Sequence, residues 1–351
     1  MSAAIAKENT QIRFVKRPTG LYDPADTFKV VKEPVPQPKD GQVLVRIIYL
    51  SLDPAMRGWM NDTRSYVPPV GINDVMRGSA VGEVVESKSD ALKVGDIVTG
   101  TFGWQEYAAV DAKQATPWHP GSELPGVPLS KAFTVLNMTG MTAYFGLLDV
   151  TDPQPGETVV VSGAAGATGS LVVQIAKIKG CRVVGIAGGE EKCRYLKEEL
   201  GVDAALDYRS STFKQDFAAA TPDYVNVFFD NVGGDILDTV LGRLAKGARI
   251  SICGAISQYN ATEAEARGPR NYTSLIAQRA KMQGFIVFDY ADRYGEAAKE
   301  YIQWLKEGKL KVAVDIQEDG VTCAPEASLK LFKGGNKGKL LVKVGSEPGE
   351  Q

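Results

Sequence analysis

The chain has 351 residues and a mass of 37.7 kDa, a length that fits two domains better than one small core. Hydrophobic residues make up 44% and charged residues 23%, as in ordinary globular proteins. With a formal net charge of −2, the chain lacks the excess of positive charge that neutralises a phosphate backbone, so we expect no nucleic-acid partner. Residues 1–10 are polar, and no apolar run reaches the roughly 18 residues of a membrane span. We therefore expect a cytoplasmic protein with no membrane partner.

Potential metal ligands are scarce. The four cysteines, at positions 181, 193, 253 and 323, form no CxxC pair, which argues against a disulfide framework and against a thiolate zinc site. The single histidine, His119, is interpreted as a solvated residue of a Pro/Gly-rich loop. One histidine cannot supply a site of two or three histidines. We therefore expect no metal.

The first part of the chain is predicted to be all-β. Short apolar runs bounded by Gly, Asp or Ser occur at residues 42–50, 78–87, 96–102 and 103–110. Many short strands with glycine and proline between them are typical of a compact barrel-like domain.

Beyond residue 130 the pattern alternates between strand and helix. Predicted strands at 158–162, 182–187, 224–229 and 248–253 are separated by predicted helices at 169–180, 190–200 and 235–244, and a helix at 131–148 precedes them. This alternation predicts a parallel sheet with helices on both faces, with roughly six strands between residues 158 and 290. After a predicted helix at 296–308, strand-like segments at 312–316 and 339–344 are expected to return to the first domain.

The main chemical signal is a glycine-rich loop between a strand and a helix. Gly163, Gly166 and Gly169 follow the strand at 158–162, and the spacing GxxGxxG differs from the common GxGxxG. Glycines there let the backbone approach a pyrophosphate, and the helix N-terminus offers N–H donors. The alternative is a tight turn without a ligand, but the complete strand–helix–strand order favours a dinucleotide site.

The end of the second strand favours NADP over NAD. An NAD site usually has a carboxylate at this position, whereas here the strand ends in glycines at 188 and 189. Lys192 follows closely, and a cation beside the adenosine ribose would pair with a 2′-phosphate. The alternative for Lys192 is an ordinary exposed lysine on a helix.

Several motifs in order along the chain resemble the zinc-independent medium-chain dehydrogenases/reductases, in particular the prostaglandin reductase and plant double-bond (2-alkenal) reductase branch. They are LSLDPAMRGWM at 50–60, MTAY at 141–144, AAGATG at 164–169, FDNVGG at 229–234, GAISQYN at 254–260, GFIVFDY at 284–290 and GNKGK at 335–339. The resemblance implies an α/β protein with a GroES-like β-barrel catalytic domain at 1–130 and 309–351. A doubly wound Rossmann domain at 131–308 would bind NADPH, and the protein would form a homodimer.

The resemblance also places cofactor contacts on matching positions. It implies a pyrophosphate contact at Gly166, Ala167, Thr168 and Gly169, and a 2′-phosphate contact at Lys192 and Tyr208. The remaining positions implied around the ribose and the nicotinamide are Met138, Thr142, Asn231, Cys253, Ser257, Tyr259, Phe285, Ile286, Val287 and Asn336. The chain departs from the family pattern at Ala55, where plant members usually have tyrosine, and at Lys337, where a neutral residue is usual.

The activity implied by the resemblance is reduction of the carbon–carbon double bond of α,β-unsaturated aldehydes or ketones. Hydride would reach the β-carbon, and negative charge would collect on the carbonyl oxygen as an enolate. Without a Lewis acid, hydrogen-bond donors must stabilise that charge. A phenol is a suitable donor, with the cofactor ribose hydroxyl as a second, and the candidates are Tyr259 first and Tyr66 second.

Two alternatives remain. A quinone reductase would share the fold, the cofactor and the lack of zinc, although the segments at 254–260 and 284–290 favour the enone substrate. A non-catalytic NADPH-binding protein would oxidise no NADPH with enals, enones or quinones.

Overall fold

The computed structural model describes residues 5–118, 124–262 and 264–349, so His119 lies outside the described residues. The chain divides into two compact units. Unit 1 comprises residues 1–130, 315–335 and 340–351, and unit 2 comprises residues 131–314 and 336–339.

Two short segments belong to a different unit from the one that the sequence assigns to them. The sequence places all of residues 309–351 in the first domain, whereas 309–314 and 336–339 lie in unit 2. The backbone N–H of Lys311 donates to Gln174 Oε1 at 2.7 Å. The N–H of Gly338 donates to the carbonyl of Ala165 at 3.0 Å. Both segments are thus hydrogen-bonded to a helix or loop of unit 2.

Unit 1 is built on antiparallel strands. Its first two strands, β1 and β2, form a separate hairpin-like pair that the sequence does not predict. The others form a seven-stranded sheet in the order β14-β15-β3-β4-β5-β7, with β6 paired to β3. The strands are β1 Glu8–Phe14, β2 Phe28–Pro34, β3 Gln42–Ser51, β4 Ser79–Ser87, β5 Ile97–Thr101, β6 Tyr107–Asp111, β7 Thr116–Pro117, β14 Val314–Gln317 and β15 Lys339–Lys343.

Short helices accompany these strands. They are the α-helices Pro24–Thr27, Met56–Trp59 and Ala324–Lys333 and the 3-10 helices Ala112–Gln114 and Val321–Cys323. Alternate residues of β3, such as Val43, Val45 and Ile47, point into one buried core, where Trp104 is among the largest fully buried side chains. This period of two is the packing expected of strands with one face on a core.

Unit 2 is a parallel six-stranded sheet in the order β10-β9-β8-β11-β12-β13. Counted from β8, this is the order 3-2-1-4-5-6 of dinucleotide-binding folds. The strands are β8 Thr158–Ser162, β9 Arg182–Ala187, β10 Ala204–Asp207, β11 Val225–Asp230, β12 Leu244–Ile252 and β13 Lys281–Gly284. The predicted fold class, with an N-terminal β domain and a parallel Rossmann sheet, is confirmed.

The sheet of unit 2 is buried on both faces. Val159 and Val161 of β8 pack in one hydrophobic cluster, whereas Val160 packs in another. Successive side chains of a strand point to opposite faces, so a continuous apolar run such as 158–162 indicates helices on both sides.

Helices cover these faces. The single helix predicted at 131–148 is two helices, because Asn137 adopts an extended conformation and its side chain caps the second helix. The helices are Leu129–Val135, Met138–Thr151, Ala167–Ile178, Glu190–Arg194, Phe213–Ala220, Gly234–Leu241, Ser274–Gln278 and Tyr294–Lys306, with a π-helical turn Tyr195–Glu199 and a 3-10 helix Val287–Arg293.

Candidate functional site

The glycine-rich loop joins β8 to the helix Ala167–Ile178 at the carboxyl edge of the parallel sheet. Gly163 has φ +58, a left-handed conformation that favours glycine. The helix begins after Gly166, which has no side chain to cap the first-turn N–H groups. Predicted pyrophosphate ligands Ala167, Thr168 and Gly169 form that first turn. A helix N-terminus of this kind offers N–H donors to an anion.

Gly169 allows the helix to lie directly on the loop. A Cβ at this position would be 2.3 Å from the carbonyl oxygen of Gly163 and 2.8 Å from Cα of Ala164. Both neighbours are backbone atoms, so any side chain would push the helix away from the strand. Position 169 therefore requires glycine, because a larger residue would clash with the backbone of the loop.

A buried carboxylate organises the end of β11 beside this loop. Asp230 is 1% exposed and accepts hydrogen bonds from Ser162 Oγ at 2.7 Å and from the N–H groups of Val232 and Gly233, both at 3.0 Å. Burial raises the pKa of Asp230 above its ordinary value, although these hydrogen bonds oppose the rise. Asn231, predicted near the ribose, donates from Nδ2 to the carbonyl of Ser162 at 2.7 Å. The network therefore fixes Asn231 against the glycine-rich loop.

The loop at 253–259 folds over residues 231–234. Ser257 Oγ donates to the carbonyl of Val232 at 2.6 Å. The hydroxyl oxygen of Tyr259 accepts the N–H of Ala255 at 3.2 Å, and a Cβ on Gly254 would lie 2.8 Å from it. Burial and, to a lesser extent, Asp230 raise the pKa of the Cys253 thiol to about 12. The predicted positions Cys253, Ser257 and Tyr259 therefore share one loop beside Asn231.

The carboxyl ends of β9 and β10 carry the predicted 2′-phosphate residues. Tyr208 lies against the glycines after β9, because a Cβ on Gly188 would be 2.8 Å from Tyr208 Cε1. Lys192 lies one helical turn further, and burial together with the nearby Arg209 guanidinium lowers its pKa. The structure brings Lys192 and Tyr208 together with a cation that sequence reasoning missed, Arg209. A cation directly after the third strand of the sheet was the available signal.

The predicted nicotinamide residues lie on two segments, a helix and the residues that follow β13. Met138 and Thr142 are half-buried on the first turns of the helix Met138–Thr151, where Thr142 Oγ1 donates to the carbonyl of Met138 at 2.7 Å. Phe285 packs edge-on against Phe229 with ring centroids 6.3 Å apart. Ile286 follows it and is half-buried.

Val287 completes this group. Its side chain is buried, and its carbonyl accepts the hydroxyl of Tyr294 at 3.0 Å. Phe285 fits against the helix Met138–Thr151 because Gly146 has no side chain: a Cβ there would lie 2.2 Å from Phe285 Cζ. The residues after β13 are thereby packed onto the helix that carries Met138 and Thr142.

Asn336 belongs to a segment that lies along the glycine-rich loop. Its Nδ2 donates to the carbonyl of Gly338 at 2.9 Å, and Gly338 forms a bridge with Gly166. Lys337, one of the departures from the family pattern, points to the ring of Tyr195, with Nζ 4.9 Å from the centroid. This lysine therefore contacts the π-helical turn.

Tyr66 is in unit 1, whereas the other predicted site residues are in unit 2. Its side chain is 46% exposed, and its hydroxyl oxygen accepts the indole N–H of Trp59 at 2.8 Å. Within residues 5–118, 124–262 and 264–349, no group of three or more His, Cys, Asp or Glu side chains is arranged to hold a metal ion. In the same residues, no helix is both long and apolar enough to cross a membrane.

Comparison with known proteins identifies the family. An N-terminal domain of oxidoreductases matches residues 10–117, and a zinc-binding dehydrogenase family matches residues 167–307. The chain is 42% identical to the NADPH-dependent curcumin reductase of Escherichia coli, over 97% of this chain and 98% of that protein. It is 40% identical to the NADP⁺-dependent 2-alkenal reductase of Nicotiana tabacum, over 90% and 91%. The chain belongs to the medium-chain dehydrogenase/reductase family, in its zinc-independent branch. Although the matching family model is described as zinc-binding, residues 167–307 of the present chain contain no histidine.

A solved relative agrees with the fold and the cofactor. The NADPH complex of CurA from Vibrio vulnificus has a TM-score of 0.89 and 42% identity, covering 96% of this chain and all of that one. The present chain, like this relative, is an NADPH-dependent medium-chain reductase. The open N-terminus at Gly166, the close approach at Gly169 and the cations at the ends of β9 and β10 fit a dinucleotide with a 2′-phosphate.

Proposed function

We propose that this reductase reduces the carbon–carbon double bond of α,β-unsaturated aldehydes and ketones. The observation that carries the proposal is the high similarity, over nine-tenths or more of the chain, to a curcumin reductase and to a 2-alkenal reductase. Both names describe the reduction of conjugated carbonyl compounds. When bound, NADPH supplies the hydride.

Tyr259 is the first candidate for stabilising the negative charge that develops on the substrate oxygen. Its oxygen accepts the N–H of Ala255 at 3.2 Å, which withdraws electron density from the phenol and makes its O–H a better donor. The same hydrogen bond holds the hydroxyl group beside Gly254 on the loop that also carries Cys253 and Ser257. A donor fixed in place before reaction stabilises charge without reorganisation.

Tyr66 is the second candidate, and it is held in a similar way. The indole N–H of Trp59 donates to its oxygen at 2.8 Å. The Trp59 ring is itself held in the core, where it is 6% exposed. The exposed position of Tyr66 suits a group that meets substrate rather than core.

The test is an assay of the purified full-length chain with NADPH deuterated at the transferable position. We expect loss of the reduced nicotinamide absorbance with a medium-chain 2-alkenal and with an aryl alkenone. The product should be the saturated carbonyl compound, with deuterium on the β-carbon. A quinone serves as the competing substrate.

Each outcome of the assay has a distinct meaning. An allylic alcohol as product would overturn double-bond reduction, because the hydride would then have reached the carbonyl carbon. Turnover of the quinone alone would favour a quinone reductase. No NADPH oxidation with any of the three would favour a binding protein without catalytic activity.

We also propose that the chain forms a homodimer, as its resemblance to the family implies. Strand β13 stands at the end of the parallel sheet in the part of the chain that the structure describes, and all four of its residues are exposed. Ile276, on the preceding helix, is 78% exposed. An exposed sheet end beside large apolar side chains supports pairing with a second copy.

A further inference from the structure

Arg209 lies where the adenosine end of the cofactor is expected. Strands β9 and β10 run parallel, with Ala187 opposite Asp207, so the residues after each strand meet at the same edge of the sheet. Gly188 and Gly189 follow β9, and Tyr208 and Arg209 follow β10. The guanidinium is therefore brought to the turn that in NAD sites carries the ribose-binding acid.

Distances place the guanidinium directly over that turn. A Cβ on Gly188 would lie 3.0 Å from Arg209 Nε, and a Cβ on Gly189 would lie 3.9 Å from Nη1. The Arg209 guanidinium also lies 5.7 Å from the centroid of the Tyr208 ring. Any side chain on Gly188 would occupy the space that Arg209 now fills.

Asp207 fixes this arrangement through the backbone. Its Oδ1 accepts the N–H of Gly189 at 3.0 Å and the N–H of Arg209 at 2.9 Å. The carboxylate thus joins the two loops and is engaged with main-chain donors. Asp207 therefore serves to position the two loops.

Lys192 lies in the short helix that begins directly after Gly189 and brings a second positive charge close to this turn. Burial lowers the pKa of Lys192, and the neighbouring positive charge of Arg209 lowers it further, against a smaller opposing effect of Glu191. Like charges that lie close together repel each other. A dianionic group between them would relieve that repulsion, and a phosphate monoester carries a charge of about −1.5 to −2 at neutral pH.

We propose that Arg209 binds the 2′-phosphate of NADPH together with Lys192, and that this pair of cations selects NADPH over NADH. A guanidinium offers two parallel N–H donors to phosphate oxygens, whereas a lysine acts as a point charge. Arg209 therefore adds directional recognition to the charge of Lys192. The proposal rests on the NADPH dependence of the protein and is independent of which carbonyl compound it reduces.

The test measures ligand binding to the full chain without any turnover. Calorimetry compares 2′-phosphoadenosine 5′-phosphate with adenosine 5′-phosphate, which differ only in the 2′-phosphate, for the wild type and for Arg209→Gln. We expect the preference for the 2′-phosphorylated ligand to fall by about 10- to 100-fold, because one charge-assisted hydrogen-bond partner is lost. Arg209→Lys should recover part of the preference, since it keeps the charge without the fork.

Arg194→Gln is the matched control. Arg194 lies two residues from Lys192 and loses the same charge, but it is exposed and lies 3.7 Å from Glu190. Its substitution should leave the preference between the two ligands unchanged. In steady-state assays, Arg209→Gln should raise the KM for NADPH by a larger factor than the KM for NADH.

Two results would overturn the proposal. One is a ligand preference in Arg209→Gln within about twofold of the Arg194→Gln control. The other is an equal weakening of both adenosine ligands, which would assign Arg209 to the adenine or to loop shape. Thermal unfolding of each variant checks that the fold is retained, which we expect because the Arg209 side chain is on the surface.

Discussion

Tyr259 and Tyr66 each accept one N–H on the phenol oxygen, and this shared feature makes their substitutions comparable. Tyr259→Phe removes the O–H that would meet the substrate oxygen and also the acceptor of the Ala255 N–H, a long bond at 3.2 Å. We expect kcat for a 2-alkenal to fall by about 10²- to 10³-fold, the usual effect of losing one donor to a developing oxyanion. NADPH affinity should stay nearly intact.

Tyr66→Phe is the comparison for this prediction. It removes the acceptor of the Trp59 indole N–H but leaves the loop at 253–259 untouched. A smaller loss of kcat than for Tyr259→Phe is expected. Unchanged turnover in Tyr259→Phe would remove that residue from the mechanism. Loss of NADPH binding in the same variant would instead make Tyr259 a structural part of its loop.

The sequence analysis did not predict the position of Arg209 beside the turn after β9. Lys192 was predicted from its place after the second strand, and Tyr208 was added by resemblance to a family, which transfers only residues that match its motifs. Arg209 becomes visible when parallel pairing brings the ends of β9 and β10 together. Likewise, the role of Asp230 depends on a contact with Ser162 across 68 positions of sequence. Local pattern does not encode such pairings.

At the scale of secondary structure, the strand predictions are accurate where apolar runs end sharply. Strands β8 and β9 coincide with the predicted 158–162 and 182–187. Helix bounds were harder to predict. The helix predicted at 169–180 begins at Ala167, since Gly169 serves close packing within the first turn. The helix predicted at 190–200 ends at Arg194, after which a π-helical turn runs from Tyr195 to Glu199.

The close approach at Gly169 gives a prediction about the helix Ala167–Ile178 as a whole. Gly169→Ala would place a methyl group 2.3 Å from the Gly163 carbonyl, so the helix must move away from the loop. We expect a loss of about 1–3 kcal/mol in the free energy of unfolding, as for other overpacked sites. NADPH affinity should fall as well, because the N–H groups of the first turn move with the helix.

Gly295→Ala is the control for this variant. Gly295 lies in the first turn of the helix Tyr294–Lys306, and apart from its chain neighbours and the backbone of its own helix no atom lies within 4 Å of a Cβ placed there. Urea unfolding should show this variant as stable as the wild type or slightly more stable, since alanine is the better helix former. Equal stability and equal NADPH affinity for Gly169→Ala and Gly295→Ala would contradict the proposed role of Gly169.

The division of the whole molecule into two units depends on long-range contacts that the order of elements along the chain does not indicate. The sequence correctly predicts an N-terminal β domain and a Rossmann sheet. It assigns residues 309–314 and 336–339 by the strand character around them. Their unit is decided by long-range hydrogen bonds, from Lys311 to Gln174 and from Gly338 to Ala165. These bonds also bring Asn336 to the glycine-rich loop, a neighbourhood that strand patterns do not indicate.

The exposed end of the parallel sheet at β13 is the expected interface of the proposed homodimer. The proposed homodimer would pair β13 with its copy and bury the apolar side chains near it. Among these, Tyr272 is 56% exposed and Met282 is 37% exposed, in addition to Ile276. We expect light scattering after size-exclusion chromatography to give twice the chain mass of 37.7 kDa. A wild type with the mass of one chain would contradict the dimer.

Ile276→Glu tests the location of the interface. A carboxylate buried there without a partner is costly, so we expect the variant to dissociate to single chains at micromolar concentration. Val94→Glu introduces the same charge at a side chain that is 54% exposed in unit 1 and should remain a dimer. If Ile276→Glu stays dimeric as well, the copies meet at another surface, and the exposed end of the sheet at β13 must be protected in another way.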